Sequence, residues 1–189
     1  MSKKWRVLCV GVLIIAVCMS LVSCNSTDKI DDFRKKLEDV GNYEVTVIME
    51  EPTLGEIVMH SKVEGNKVWT SACMDEPETY SVLNDEAVLL YTKTDTGWEK
   101  TIETIEKSED YTAFPLLEGG YYEYSSTERA YVSKSGANLI YEDVVFDFAK
   151  LTLKKNSAKI EGVATSDGIK VRYTIEYKNV GTTKVDLPM

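Results

Sequence analysis

The sequence predicts an α+β domain: a strongly curved antiparallel sheet, or half-barrel, with an N-terminal helix and a helical crossover on its concave side. Three observations lead there. Residues 28–40 place apolar side chains three or four positions apart, as one face of a helix does. From Tyr43 onward the period becomes two, in short runs parted by turn residues. Residues 103–131 interrupt those runs with an acidic stretch and then an aromatic one. A sheet of about nine or ten strands with so little helix must curl to cover its apolar face.

The chain opens with Lys3, Lys4 and Arg6, followed by the uncharged apolar run Val7 to Val22. A positive start and a short apolar stretch make the layout of a secretory signal. The run has 16 residues, short of the roughly 20 that a membrane-spanning helix needs. The positive start suits an end that stays on the cytoplasmic side.

That run ends in Leu21-Val22-Ser23-Cys24, which resembles the lipobox of bacterial lipoprotein signals, an aliphatic residue and two small residues leading into a cysteine. The resemblance implies cleavage between Ser23 and Cys24 and a diacylglyceryl thioether, with palmitate-type chains, on Cys24. Residues 1–23 are then a signal peptide, residues 24–27 the lipidated cysteine and a short tether, and residues 28–189 one domain. The expected location is the extracytoplasmic face of the cell membrane. One acyl chain holds a protein marginally, whereas two, at about 0.8 kcal/mol per buried methylene, hold it stably. The tether reaches at most about 13 Å, which keeps the domain near the bilayer.

Loss of the signal removes three of the 22 basic residues and none of the 31 acidic ones, so the mature chain carries 19 against 31, a net charge of −12. Such a surface argues against nucleic acid, whose binding depends on Lys and Arg at phosphates. It also predicts repulsion from anionic headgroups over a screening length of about 8–10 Å. Of the four cysteines, Cys9 and Cys18 fall in the signal and Cys24 is the lipid site. Cys73 alone remains, so the expected domain stands without an internal disulfide.

The helix over 28–40 has Ile30, Phe33, Leu37 and Val40 on one face, Asp28 to cap it and Gly41 to end it. Tyr43, Val45, Val47 and Met49 then alternate with polar neighbours, as do Ile57, Met59 and Val63 around His60 and Lys62. Glu64-Gly65-Asn66 reads as a hairpin turn into Lys67 to Cys73. Further strands are expected at 79–83, 87–93 and 97–102. In 103–131, Glu103, Glu106, Glu109 and Asp110 read as the wet side of a helical turn. Pro115 and Gly119-Gly120 punctuate an aromatic loop with Tyr111, Phe114, Tyr121, Tyr122 and Tyr124. Three strands follow, Asp143 to Lys154, Ala158 to Thr165 and Ile169 to Lys178. Phe146 and Phe148 lie out of phase with Leu151 and Leu153, which predicts a bulge near Ala149. Thr182 to Leu187 is expected to close the domain as a short strand.

This order of elements resembles the lipid-carrier half-barrels of bacterial envelopes, the LolA and LppX type. The resemblance implies a sheet curled around helical plugs, with acyl chains bound in its concave face. The endings Gly168-Ile169-Lys170-Val171-Arg172-Tyr173 and Gly181-Thr182-Thr183-Lys184-Val185-Asp186-Leu187-Pro188 also resemble those of small Gram-positive lipoproteins of unassigned role. The likeness spans residues 28–188 as a pattern of elements, and a fold-level likeness is a weak warrant for function.

Catalytic chemistry finds little support. His60 is the only histidine and sits in a strand's polar series; with one mature thiol it cannot build a His/Cys metal cluster. Ser26-Thr27-Asp28-Lys29 matches the Ser-x-x-Lys of penicillin-binding enzymes, but its serine lies in the tether and Ser-Asp-Asn is absent. The expectation is therefore a protein with no catalytic residues, metal or cofactor, membrane-bound through its lipid and binding a hydrophobic ligand such as a lipid or lipid-linked glycan. Met59, Trp69, Tyr91, Trp98, Phe146, Phe148, Tyr173 and Ile175 are the candidates to line its cavity. The alternative is a protein- or glycan-interaction module with a filled core, using exposed tyrosines such as Tyr121 and Tyr122.

Overall fold

A computed structural model describes residues 27–84, 87–104, 114–137, 139–141, 144–166 and 168–188. The expected signal, Ser23 and Cys24, and Glu106, Glu109, Asp110 and Tyr111 of the expected crossover lie outside the described residues.

Helix α1 runs Asp28–Val40 and buries Ile30, Phe33 and Leu37, the spacing that defines its apolar face. Asp28 is its first helical residue rather than its cap. With Asp31 it places negative charge in the first turn, where it suits the positive end of the helix dipole. Gly41 ends the helix in the left-handed region (φ 55°) and donates its N–H to Leu37 O at 2.9 Å, a conformation that glycine adopts without a Cβ penalty.

Strands follow at β1 (Asn42–Glu51), β2 (Gly55–Glu64), β3 (Lys67–Thr70), β4 (Thr79–Leu83), β5 (Ala87–Thr94) and β6 (Gly97–Thr104). The second half holds β7 (Tyr122–Ser125), β8 (Ala130–Ser133), β9 (Leu139–Tyr141), β10 (Val144–Lys154), β11 (Ser157–Ser166) and β12 (Ile169–Lys178). They form one 12-stranded sheet in the order β6-β5-β4-β3-β2-β1-β12-β11-β10-β8-β7, with β9 paired to β10. Neighbours pair antiparallel throughout. β1 to β6 make one meander, and the pairing of β1 with β12 joins it to the second.

The fold class is thereby corrected. The domain is mostly β, an open antiparallel sheet, rather than an α+β half-barrel with a helical crossover; α1 is the only α-helix among the described residues. Glu103, read as part of a helical turn, belongs to β6. The aromatic stretch holds a three-residue 3-10 turn, Gly119–Tyr121, and then the β7–β8 hairpin. Its residues already show the reason: Tyr122 and Tyr124 alternate with Glu123, and β-favouring aromatics at period two make a strand. Thr182 to Leu187 forms no strand; Thr183–Pro188 is irregular, with Val185 donating its N–H to Glu64 Oε2 at 3.0 Å. β3 stops at Thr70, short of Cys73.

Register assigns the two faces. Val47 stands opposite Ile175 and Met59, Ile175 opposite Ile160, Ile160 opposite Leu151, and Leu151 opposite Tyr131. Directly paired residues share a face, so these line one side of the sheet. Ile30, Phe33 and Leu37 of α1 pack into the same cluster, with Leu116 and Leu117 from the loop before β7. Phe114 seals it against Tyr43 (5.5 Å between ring centroids) and Tyr177 (5.7 Å). Helix and loop thus fill this face over β1 and β7 to β12, whereas β3 to β6 bury no residue on either side. The other face is left to polar and scattered aromatic side chains.

Candidate functional site

The eight expected cavity residues do not share one space. Phe146, Tyr173 and Ile175 are buried, Met59 packs against them, and the Phe146 and Tyr173 rings stand 5.2 Å apart. These four belong to the filled core. Trp69, Tyr91 and Trp98 lie on the opposite face, on β3, β5 and β6. Phe148 is 45% exposed beside a groove on that same open face. Tyr121 and Tyr122 do not form an exposed rim: Tyr122 is fully buried and donates its hydroxyl to Leu116 O at 2.9 Å. Burial pushes the Tyr122 phenol well above its ordinary value.

The outer aromatics form a ladder. Trp69 pairs across strands with Tyr80, and Tyr80 with Tyr91; Tyr80 meets Trp98 edge-on at 5.1 Å. Lysines cover the rings, Lys62 over Trp69 (5.2 Å), Lys93 over Trp98 (5.8 Å) and Lys100 over Tyr91 (5.8 Å). Their apolar stems shield the rings while the ammonium groups stay in water. Glu78 locks one end, accepting from Trp69 Nε1 at 2.8 Å and Lys93 Nζ at 2.9 Å. The Lys93 and Trp69 hydrogen bonds hold the Glu78 carboxyl below its usual value, and Glu78 in turn raises the Lys93 ammonium.

The groove lies across β1, β12, β11, β10 and β8, with a volume of about 640 Å³. Four of its charged side chains come from the wet positions of those strands, and Glu128 from the β7–β8 turn. Arg172 stands opposite Glu50, and Lys150 opposite Glu161. Arg172 Nε meets Glu50 at 3.4 Å, while Lys150 Nζ reaches Glu128 at 3.7 Å and Glu161 at 3.9 Å. Exposed pairs of this kind add about 0–1 kcal/mol to stability, so they can exchange partners cheaply. Beside them Phe148, Val145 (52% exposed) and Ile140 (37%) make an apolar patch, with Val145 and Ile140 directly paired. A bulge aims Phe148 outward: the β10–β11 register shifts between Phe146 and Phe148, close to the expected place.

The sequence reading missed the groove's five charges. Three of them, Lys150, Glu161 and Arg172, had a signal in the alternation of β11, β12 and the end of β10, whereas Glu50 lies on β1 and Glu128 in the β7–β8 turn. His60 is exposed, with Nδ1 3.0 Å from Thr46 Oγ1, and Cys73 is half-buried in a bridge to Glu76. No group of three or more metal-binding side chains is found among the described residues, and none of their helices is long and apolar enough to cross a membrane. No protein-family model matches the chain, and no curated protein matches it.

Proposed function

We propose that this chain is a lipid-anchored module of the cell envelope, tethered through Cys24, that binds a protein partner across the open face of its sheet. One observation carries the reading: over β1 and β7 to β12 one face is filled by α1 and the Phe114 loop, whereas the opposite face of the same strands offers a charged groove beside the exposed Phe148, Val145 and Ile140. Apolar residues rimmed by arginine and carboxylates are the composition of protein interfaces. The filled core favours this over enclosure of a lipid. The module is read as non-catalytic because its groove carries solvent-exposed ion pairs in place of a desolvated acid–base couple.

The test places a photo-crosslinking amino acid at position 148 in cells, with position 54, a more exposed apolar residue on the β1–β2 turn, as control. A discrete adduct at 148 that disappears with Arg172→Glu is expected. Identical products at both positions would overturn the interface. The anchor is tested separately, by the mass of the mature chain and its change in Cys24→Ala.

A further inference from the structure

The side of α1 that faces the β10–β11 turn holds a feature the acidic composition hides. Lys29 and Lys36 lie on one stripe of the helix. Lys154 and Lys155 come from the end of β10 and the turn after it. Together they rim a cleft of about 380 Å³ whose floor is Phe33 and Leu153, with Asp32 the one carboxylate among them. Lys36 Nζ donates to Lys155 O (3.1 Å) and Asn156 Oδ1 (2.8 Å), which fastens the turn to the helix.

We infer that this cleft docks the phosphate headgroup of an anionic membrane lipid. The inference rests on the proposed anchoring at Cys24. Three residues separate Cys24 from Asp28, the start of α1, so the cleft cannot stand far from the bilayer; the tether, Cys24 included, spans about 13 Å at most. Four ammonium groups against one carboxylate complement a phosphodiester, and the apolar floor accepts the glycerol end of the lipid. The rest of the domain, strongly acidic, is repelled by the same surface. The two effects together orient the domain, with the α1 and β10–β11 end toward the membrane and the acidic remainder away.

The mature lipidated protein is placed in phosphatidylglycerol vesicles and in phosphatidylcholine vesicles, its lysines are acetylated, and each site is read by mass spectrometry. Lys29, Lys154 and Lys155 are expected to react about fivefold more slowly in the anionic vesicles, the scale of one lysine's attraction to such a surface. Lys62, Lys93 and Lys100 on the outer ladder should not change. Equal reactivity in the two vesicles overturns the inference. So does equal protection by inorganic phosphate in phosphatidylcholine vesicles, which assigns the cleft to free phosphate. The exposed double variant Lys154→Glu/Lys155→Glu should release Lys29; continued protection of Lys29 also overturns it. The intact mass reports the lipid on Cys24 independently. If that lipid is missing, the anchoring reading fails, and protection of the same chain by added phosphatidylglycerol vesicles still decides the cleft.

Discussion

Phe146 and Phe148 are two residues apart on one strand yet stand on opposite faces of the sheet. Phe146 is 3% exposed, against Tyr173 at 5.2 Å, and Phe148 is 45% exposed. In a regular strand both would point the same way; the shift in register between them separates a core residue from a surface one. Phe146→Ala is expected to cost about 3–5 kcal/mol, as large-to-small changes of a buried phenylalanine do. Phe148→Ala should stay within about 0.5 kcal/mol, the range of ordinary surface changes. Urea unfolding of the two variants checks the contrast.

Gly162 depends on the same bulge. A Cβ there would lie 2.5 Å from Phe146 Cδ1 and 2.9 Å from the Phe148 carbonyl oxygen. The ring can shift, but the backbone oxygen cannot move without disturbing the β10–β11 pairing. Gly162→Ala should therefore destabilise by about 1–3 kcal/mol, the cost of overpacking. Paired with Phe146→Leu, it should lose part of that penalty, which a double-mutant cycle measures.

Asp31 clamps the helix to the 3-10 turn. Its Oδ1 accepts the Gly119 N–H at 3.0 Å, and a Cβ on Gly119 would stand 2.5 Å from Oδ2 and 2.7 Å from Thr27 O. Asp31→Ala should cost about 1–3 kcal/mol by leaving a part-buried N–H unpaired. Faster amide exchange at Gly119 in that variant, with the β10–β12 amides unchanged, is the matching local signature.

Glu78 gives the domain an acid-sensitive joint. Its carboxyl is held below the ordinary 4.5 by hydrogen bonds from Lys93 and Trp69. A carboxylate depressed in the folded state adds stability above the unfolded value, and that stability is lost as pH falls through the folded one. Glu78→Gln should flatten the stability curve below 4.5 and leave its shape near neutrality unchanged. Trp69 fluorescence followed through an acid titration of both proteins distinguishes them.

Where one residue's neighbours fix its state, the sequence was readable. Ile169–Lys178 forms the strand its alternation predicts, and Ile30, Phe33 and Leu37 bury the helix face their spacing predicts. The assignment of faces between strands was not readable from period alone, because a period of two gives phase only within a strand. Trp69 was grouped with Met59, yet the hairpin sets Trp69 opposite Lys62 and so on the other side. The two-residue turn Gly65-Asn66 carried that register. The β7–β8 hairpin is hard to read because its strands have only four residues each, too few for a strong period, and Gly119-Gly120 just before them signals a loop. The lysine cleft joins residues more than a hundred positions apart, which no local pattern reports.

The pairing of β1 with β12 has a topological outcome. Every other rung of the ladder joins strands near in sequence, whereas this one unites the opening strand with the last. Severing the chain between Thr104 and Phe114 would leave two fragments, each with its own nearly complete zigzag of strands, and their reunion would hinge on the β1–β12 pairing and on the packing of α1 and Tyr43 against the second fragment. The protein is in this sense two ribbons stitched edge to edge and strapped by one helix, and stitch and strap together are where a split version would recombine or fail.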